Sequence, residues 1–434
     1  MQEHIADFFQ PLVLKDQTLV LALSGGLDSR VLLHLLDRQQ KSLGFKLRAV
    51  HVHHGLSPNA EQWAEFCRVI CDEIGIPLDV IYVKVPLDSG LGVEAAARNS
   101  RYKALLENSV QDYIALAHHQ DDQAETLLLQ LLRGAGAKGL AAMAAVDQKR
   151  RLLRPLLDVP RHQLEAYAAA HDLTWIEDES NEDEHYDRNF CRHQVFPVLA
   201  QRFPAISQNL ARSASHLAET SALLDELAAL DAVTILTHHQ IDVAALSQLS
   251  DARARNLLRW WLAQHDQPLP NTSRLQEMLH QLLGAKSDAT LKVAVDAQND
   301  VWLRRYQGMA YIQTNAEPLP IAMIWQGEAE LVLPDGSRLL FERKSGAGLA
   351  AERLGINKLR VSHRVGGERF KPDWARPTRT LKHLLQEAHI PPWQREHLPL
   401  IYWDETLAIV PGIGVACELQ AREDELGLVV SLHS

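Results

Sequence analysis

Four times before residue 135, a short apolar run gives way to a stretch with helical spacing. The runs lie at 19–23, 47–52, 78–83 and 113–117, and the helical patterns follow at about 28–40, 59–74, 93–107 and 121–133. Short apolar runs read as buried strands, and strands that alternate with helices pair in parallel. A parallel sheet is covered on both faces, so helices belong on either side of it. The class expected for the first 200 residues is α/β. Ligands of such sheets bind beyond the carboxyl ends of the strands.

Polar residues cluster at those ends. Ser24-Gly25-Gly26-Leu27-Asp28-Ser29 closes the first run and opens the first helix. Small residues let backbone N–H groups approach an anion, and the helix N-terminus adds its positive end. Ser24, Gly25, Gly26, Leu27 and Ser29 are therefore candidate phosphate-binding positions. No Lys follows the glycines, which excludes a loop of the GxxxxGK[ST] kind. Asp28 sets a carboxylate beside the anion, and two readings follow. Either Mg²⁺ bridges it to the bound phosphates, or it caps the helix.

The second run ends in His51-Val52-His53-His54, and the fourth leads into Ala117-His118-His119-Gln120-Asp121-Asp122-Gln123-Ala124-Glu125-Thr126. On a helix, Asp121 or Asp122 shares a face with Glu125. Acidic residues suit a first turn, but capping does not account for two adjacent histidines. The helix at 93–107 carries Glu94, Arg98 and Arg101 near one face, with Tyr102 on the next.

Beyond residue 203 the pattern changes. Residues 204–231 read as one linker helix, with Pro204 suited to its first turn. A middle unit at 232–315 combines two helices, 251–264 and 273–283, with strand-like pieces around 290–313. A third unit at 320–434 is mostly strand-like, with a helix near 380–388, and Ser345-Gly346-Ala347-Gly348 reads as a loop. The net charge of −11 argues against a uniformly basic nucleic-acid binder, yet residues 353–382 hold nine Lys or Arg against Glu368 and Asp373. That is either a solvated charged face or a patch for RNA phosphates. No apolar run approaches the ~20 residues of a membrane span. No signal peptide is evident. The four cysteines include no CxxC, which suggests neither a disulfide framework nor a Cys-rich zinc site. A cytoplasmic location is expected, and Cys67 and Cys71, one helical turn apart, are expected to be buried.

The loop Ser24–Ser29 resembles the SGGxDS pyrophosphate loop of ATP pyrophosphatases. The segment His118–Thr126 is similar to the HHxDDxxET stretch of one subgroup, the tRNA(Ile)-lysidine synthetases. His51–Leu56, Gly92–Tyr102, and Asp178-Glu179-Ser180-Asn181 with Arg188, Asn189 and Arg192 fit the same family, as do Arg364–Phe370, Thr378–Lys382, Pro391–Arg395 and Val410–Gly414. The resemblance spans essentially the whole chain. It implies an N-terminal pyrophosphate-loop nucleotide-binding domain at 1–203, a small α+β middle domain, and a mostly β tRNA-binding domain. It also implies a ligase that uses ATP and Mg²⁺ to join L-lysine to the wobble cytidine of the CAU-anticodon isoleucine tRNA. Residues matched to its chemistry are Asp28, Arg98, Arg101, His118, Asp122 and Glu125, with His53 beside the nucleotide. Arg188, Arg192, Arg364, Arg369, Lys371, Arg379 and Lys382 match its tRNA contacts. The sequence leaves the oligomeric state open, a homodimer included, and does not separate the roles of Asp121, Asp122 and Glu125.

Overall fold

A computed structural model describes residues 1–12, 14–86, 92–179, 183–265, 267, 269–285, 291–296, 300–314, 321–355 and 358–433. Ser180, Asn181 and the side chain of Glu94 lie outside the described residues. The chain divides into two compact units, Met1–Leu224 and Asp225–Ser434.

The first unit runs α1 (Gln2–Phe9), β1 (Thr18–Ala22), α2 (Leu27–Leu43), β2 (Lys46–His53), α3 (Ala60–Ile74), β3 (Leu78–Tyr82), α4 (Val93–Asn108), β4 (Tyr113–Ala115) and α5 (Gln120–Leu132). It continues through α6 (Ala137–Leu140), β5 (Val146–Asp147), β6 (Leu152–Leu153), α7 (Arg161–Ala170), α8 (Asp187–Phe190) and α9 (Phe196–Arg202) to α10 (Ile206–Ile235). Each strand and helix expected before residue 135 forms, its ends displaced by at most three residues. The structure adds α1, α7 and the two-residue strands β5 and β6 to the elements expected from the pattern. A two-residue strand has no period to detect.

The sheet order is β3-β2-β1-β4-β6-β5, with β5 alone antiparallel. Side chains alternate between its faces as a strand requires. Leu19, Leu21, Ala49, Ala115 and Leu153 belong to one buried cluster with the cores of α1, α2, α3 and α7. Val20, Val50, Ile114 and Leu152 pack with Tyr102, Leu105 and Leu106 of α4 on the other face. The chain leaves β1 toward β2 on one side and returns to β4 on the other. The topological switch point, where such sheets take ligands, therefore lies between the carboxyl ends of β1 and β4.

Helix α10 is continuous through Ile235, longer than the expected 204–231, and Pro204 lies in the turn before it. The second unit holds a five-stranded sheet from 236–314, covered by helices Asp251–Gln264 and Thr272–Gly284. Trp261, Leu257, Met278 and Leu303 centre its core. Residues 321–433 form a further five-stranded sheet, a three-stranded sheet and a two-stranded ribbon, with helices at Leu381–Glu387 and Pro392–Arg395. Ser345, expected in a loop, ends the strand Arg338–Ser345, and the turn begins at Gly346. Gly348 is required there, because a Cβ would stand 2.3 Å from the Leu428 carbonyl oxygen. The two parts of this unit meet at Trp393, whose ring lies 4.6 Å beneath the Arg304 guanidinium. Arg395 adds a hydrogen bond to the Tyr306 hydroxyl at 2.9 Å.

No helix among the described residues is long and apolar enough to cross a membrane.

Candidate functional site

The loop after β1 is held open by its own hydroxyls. Gly26 is the N-cap of α2, so the N–H groups of Leu27, Asp28 and Ser29 begin the helix without intrahelical acceptors. Ser29 Oγ accepts from Gly25 N at 3.2 Å and donates to the Gly26 carbonyl at 3.0 Å, while Ser24 Oγ accepts from Gly26 N at 3.3 Å. The Leu27 side chain is buried, leaving only its backbone to face a ligand. Gly25 has φ +89°, and a Cβ there would meet Ile176 Cδ1 at 2.9 Å and Cys67 Sγ at 3.2 Å. The Ile176 N–H in turn donates to the Gly25 carbonyl at 3.0 Å. This loop is a shaped anion cradle at a helix N-terminus.

Beneath it, His51 Nδ1 donates to the Leu23 carbonyl at 2.9 Å and ties β2 to the loop entrance. Burial lowers the His51 pKa, and the bond to the Leu23 carbonyl opposes that fall. Cys67 Sγ lies 3.5 Å from the same nitrogen. Cys67 and Cys71 are free and buried as expected, and burial pushes their thiols up to about 12 and about 11. His53 sits at the end of β2, 3.5 Å from Glu61 and with its ring 4.7 Å from that of Tyr82.

Asp28 does not cap α2; no side-chain cap bond forms there. It faces His119 instead, with Oδ2 3.6 Å from His119 Nε2. Its Oδ1 is buried and has no hydrogen-bond partner among the described residues. Burial raises the Asp28 pKa, and His119 opposes that rise. An unsatisfied carboxylate oxygen beside a phosphate cradle suits a hard cation shared with nucleotide phosphates, since Mg²⁺ takes few protein ligands and keeps several oxygens from phosphate and water. The donor set therefore fits Mg²⁺ with Asp28 as its protein ligand.

His119, one of two adjacent histidines, is the residue that sequence reasoning misses. It is 1% exposed and lies between three carboxylates. Its ring nitrogens are 3.6 Å from Asp28, 3.5 Å from Asp122 and 3.7 Å from Asp121. The backbone explains why it points inward: His119 is the extended N-cap of α5, and its N–H donates to Asp122 Oδ2 at 2.9 Å. A cap residue with an acid three positions later is a readable helix start, and that spacing was the available signal. His118 lies beside it, half-buried, with Nδ1 lacking a hydrogen-bond partner among the described residues. Burial drives its pKa down to about 3, and Asp122 only partly offsets that.

The structure separates the three acids of α5. Asp121 Oδ2 accepts from the Arg161 N–H at 3.0 Å and so starts α7. Asp122 Oδ1 accepts from Arg188 Nη2 at 2.8 Å. Glu125, 3% exposed, accepts from Arg188 Nε at 2.7 Å and from Arg192 Nε and Nη2 at 2.6 and 2.9 Å. Two carboxylates and two guanidiniums form one partly buried network. Burial alone would raise the Asp122 pKa, but His119, Arg188 and the His119 N–H together hold it well below the usual carboxylate range. On α4, Arg98 is half-buried and stacks over Tyr102 at 5.3 Å, while Arg101 is exposed.

The basic segment of the second unit is mixed in its exposure. Arg369 and Lys382 are exposed, and Lys371 lies 5.2 Å over the Trp374 ring. Arg379 pairs with Glu387. Arg364 is only 18% exposed and binds Glu368 at 3.1 Å. Glu368 in turn accepts the N–H groups of Val365 and Gly366, so this arginine and this acid shape their own loop.

A PP-loop domain model matches residues 1–199. Sheet, loop and carboxylate cluster define an ATP-dependent enzyme of the PP-loop class. Two further models match, a TilS substrate binding domain at 241–311 and a TilS substrate C-terminal domain at 359–432. A tRNA(Ile)-lysidine synthase of Nitrosomonas europaea is 44% identical over 423 residues, covering 96% of this chain and 92% of that protein. One from Azoarcus sp. is 43% identical, covering 94% of this chain and 90% of that protein. Among solved structures, the U34-tRNA thiolase NcsA of Methanococcus maripaludis is similar with TM-score 0.44 and 20% identity, over 50% of this chain and 78% of that one. The chain belongs to the tRNA(Ile)-lysidine synthase family.

Two outcomes test this geometry. Gly25→Ala forces an L-residue into a left-handed conformation and against Ile176, at a cost of about 1–3 kcal/mol; thermal unfolding should fall and ATP affinity with it. Asp122→Asn strips the charge partner from Arg188 and His119, at a cost of about 1.5–3 kcal/mol in denaturant unfolding near neutral pH. Because the folded-state carboxyl titrates below its ordinary value of about 4, its contribution is present above that value. It is lost as pH falls through the depressed one, so wild type and variant should converge only in strong acid.

Proposed function

We propose that this protein joins the ε-amino group of L-lysine to the wobble cytidine of the isoleucine tRNA with a CAU anticodon, forming lysidine. The observation that carries the reading is the meeting of Asp28 with the His119–Asp122–Glu125 cluster at the switch point. The whole-length likeness to lysidine synthases supports the substrate.

In the first half-reaction, the carbonyl oxygen of the cytosine attacks the α-phosphorus of ATP, and the bond to pyrophosphate breaks. The N–H groups at the start of α2 and the hydroxyls of Ser24 and Ser29 hold the phosphates in place. Bound at Asp28, Mg²⁺ would neutralise charge on those phosphates and ease departure of pyrophosphate. Arg98 and Arg101 supply positive charge for the adenylated base. In the second half-reaction, the lysine ε-nitrogen attacks the activated carbon, and AMP leaves with the former carbonyl oxygen.

The attacking amine must lose a proton. Asp122 and Glu125 form the anionic wall that receives the lysine ammonium, with Asp122 kept ionised by its partners and Glu125 taking up that proton. Glu125 Oε1 and both Asp122 oxygens keep acceptor capacity beyond the single bond each accepts. Arg188 and Arg192, matched by sequence to tRNA contacts, serve in this reading to position those carboxylates. His118 stays neutral through burial and offers a hydrogen-bond acceptor rather than a strong base. The exposed cations Arg369 and Lys382 of the second unit, with the partly exposed Lys371, hold the tRNA by its phosphates, while Arg379 stays paired with Glu387. Asp231 at the end of α10, a buried acid bound by Arg253, serves only to fix the second unit internally. A cytoplasmic site of action follows from the tRNA substrate.

Mass spectrometry of nucleosides from tRNA incubated with ATP and lysine should reveal lysidine; none in the presence of both substrates would refute the reading. Asp28→Ala should abolish pyrophosphate release while tRNA binding persists, and normal turnover in that variant would remove Asp28 from the chemistry. Arg369→Glu with Lys382→Glu should weaken tRNA binding and flatten its salt dependence by about 0.9 in log–log slope for each phosphate no longer neutralised. ATP affinity should not change.

A further inference from the structure

A cavity of about 510 Å³ opens on the α4 side of the sheet, walled by Arg98 and Tyr102 of α4, Lys138 of α6, and Asp147, Arg150 and Arg154 around the β5–β6 turn. Four cations share it with one carboxylate. That carboxylate is engaged: Asp147 Oδ2 accepts from Arg150 Nε at 2.7 Å. Arg154 is 4% exposed; its Nη1 donates to the Ala144 carbonyl at 2.7 Å, but its Nε is buried with no hydrogen-bond partner among the described residues. A buried guanidinium with an unmade bond, in a wall of surplus positive charge, is costly unless an anion reaches it.

ATP does not account for that anion. Its cradle is the N-terminus of α2, and α2 packs with one face of the sheet while α4 packs with the other. The cavity belongs to the α4 face, whereas the phosphate cradle is built on α2. Its volume falls within the range of small-ligand sites and suits a single nucleotide. Its chemistry, cations beside a guanidinium-stacked tyrosine, is that of single-stranded nucleic-acid sites, which pair backbone charge with an aromatic face. It also adjoins the helix that carries the acids, since Met143 lines it. One wall is fixed to the catalytic helix, for Gln123 of α5 exchanges two hydrogen bonds with the backbone of Met143, at 2.8 and 2.9 Å.

We propose that this cavity binds the nucleotide adjoining the target cytidine in the RNA chain, its phosphodiester on Lys138, Arg150 and Arg154 and its base against Tyr102. This rests on the reading that the substrate is RNA. Once the neighbour is seated, the target base is held in register for attack on ATP.

The test uses the full chain and an isolated anticodon stem-loop carrying CAU, titrated across a salt series. Lys138 and Arg150 are exposed, so the double variant Lys138→Ala, Arg150→Ala leaves the core intact. It should weaken stem-loop binding roughly tenfold or more at low salt and reduce the log–log salt slope by about 0.7 for each phosphate no longer neutralised. Tyr102→Phe should retain binding, whereas Tyr102→Ala should weaken it roughly tenfold with the slope unchanged. Affinity for ATP should be unaltered throughout. Unchanged stem-loop affinity and slope in the double variant would overturn the proposal, and so would a loss confined to ATP binding, which would assign the cavity to nucleotide. Lysidine formation by the unmodified protein is scored separately. If it occurs while the variants bind the stem-loop normally, the cavity assignment alone fails; if it does not occur, both readings fail.

Discussion

A buried imidazole with carboxylates on three sides governs how the edge of this sheet is assembled. Asp28 comes from the loop after β1, and Asp121 and Asp122 from the start of α5 after β4. Without His119, like charges would approach each other in a poorly solvated place, and one acid would be driven to take a proton. With it, the phosphate loop and the acidic helix are drawn together. The arginines of 188 and 192 then complete the balance on the far side, where Glu125 is nearly inaccessible to water. Removing one member of such a network costs far more than the net worth of any one pair, because the partner left behind stays buried.

Much of this was legible in the chain. Periodic apolar runs mark the strands that build the parallel sheet, and the rule that ligands sit beyond their carboxyl ends groups Ser24–Ser29, His51–His54 and His118–Asp122. The partners of Asp122 and Glu125 were not legible from spacing, since Arg188 and Arg192 lie 63 to 67 residues away along the chain. No local pattern encodes such a pairing. The choice between two adjacent histidines left only an indirect local signal, the acid three positions after His119 that marks a helix cap. Cavities escape a linear reading altogether: Lys138, Arg150 and Arg154 occupy short irregular segments whose periodicity carries no signal.

Charge is distributed by task. The chain as a whole is acidic, which disfavours indiscriminate contact with polyanions. Positive charge is gathered instead in two restricted places, the segment at 353–382 and the wall beside α4. Within the first, Arg364 and Arg379 are already paired with Glu368 and Glu387, so the number of basic residues overstates the number of cations facing solvent.

Gln123 sits between Asp122 and Glu125 in sequence, yet its amide reaches the opposite way and grips Met143 through both its donor and its acceptor. The linkage is neutral, so neither salt nor pH loosens it. Its effect is that of a fixed hinge pin. Shifting the segment around Met143 would therefore displace the helix that carries the acids.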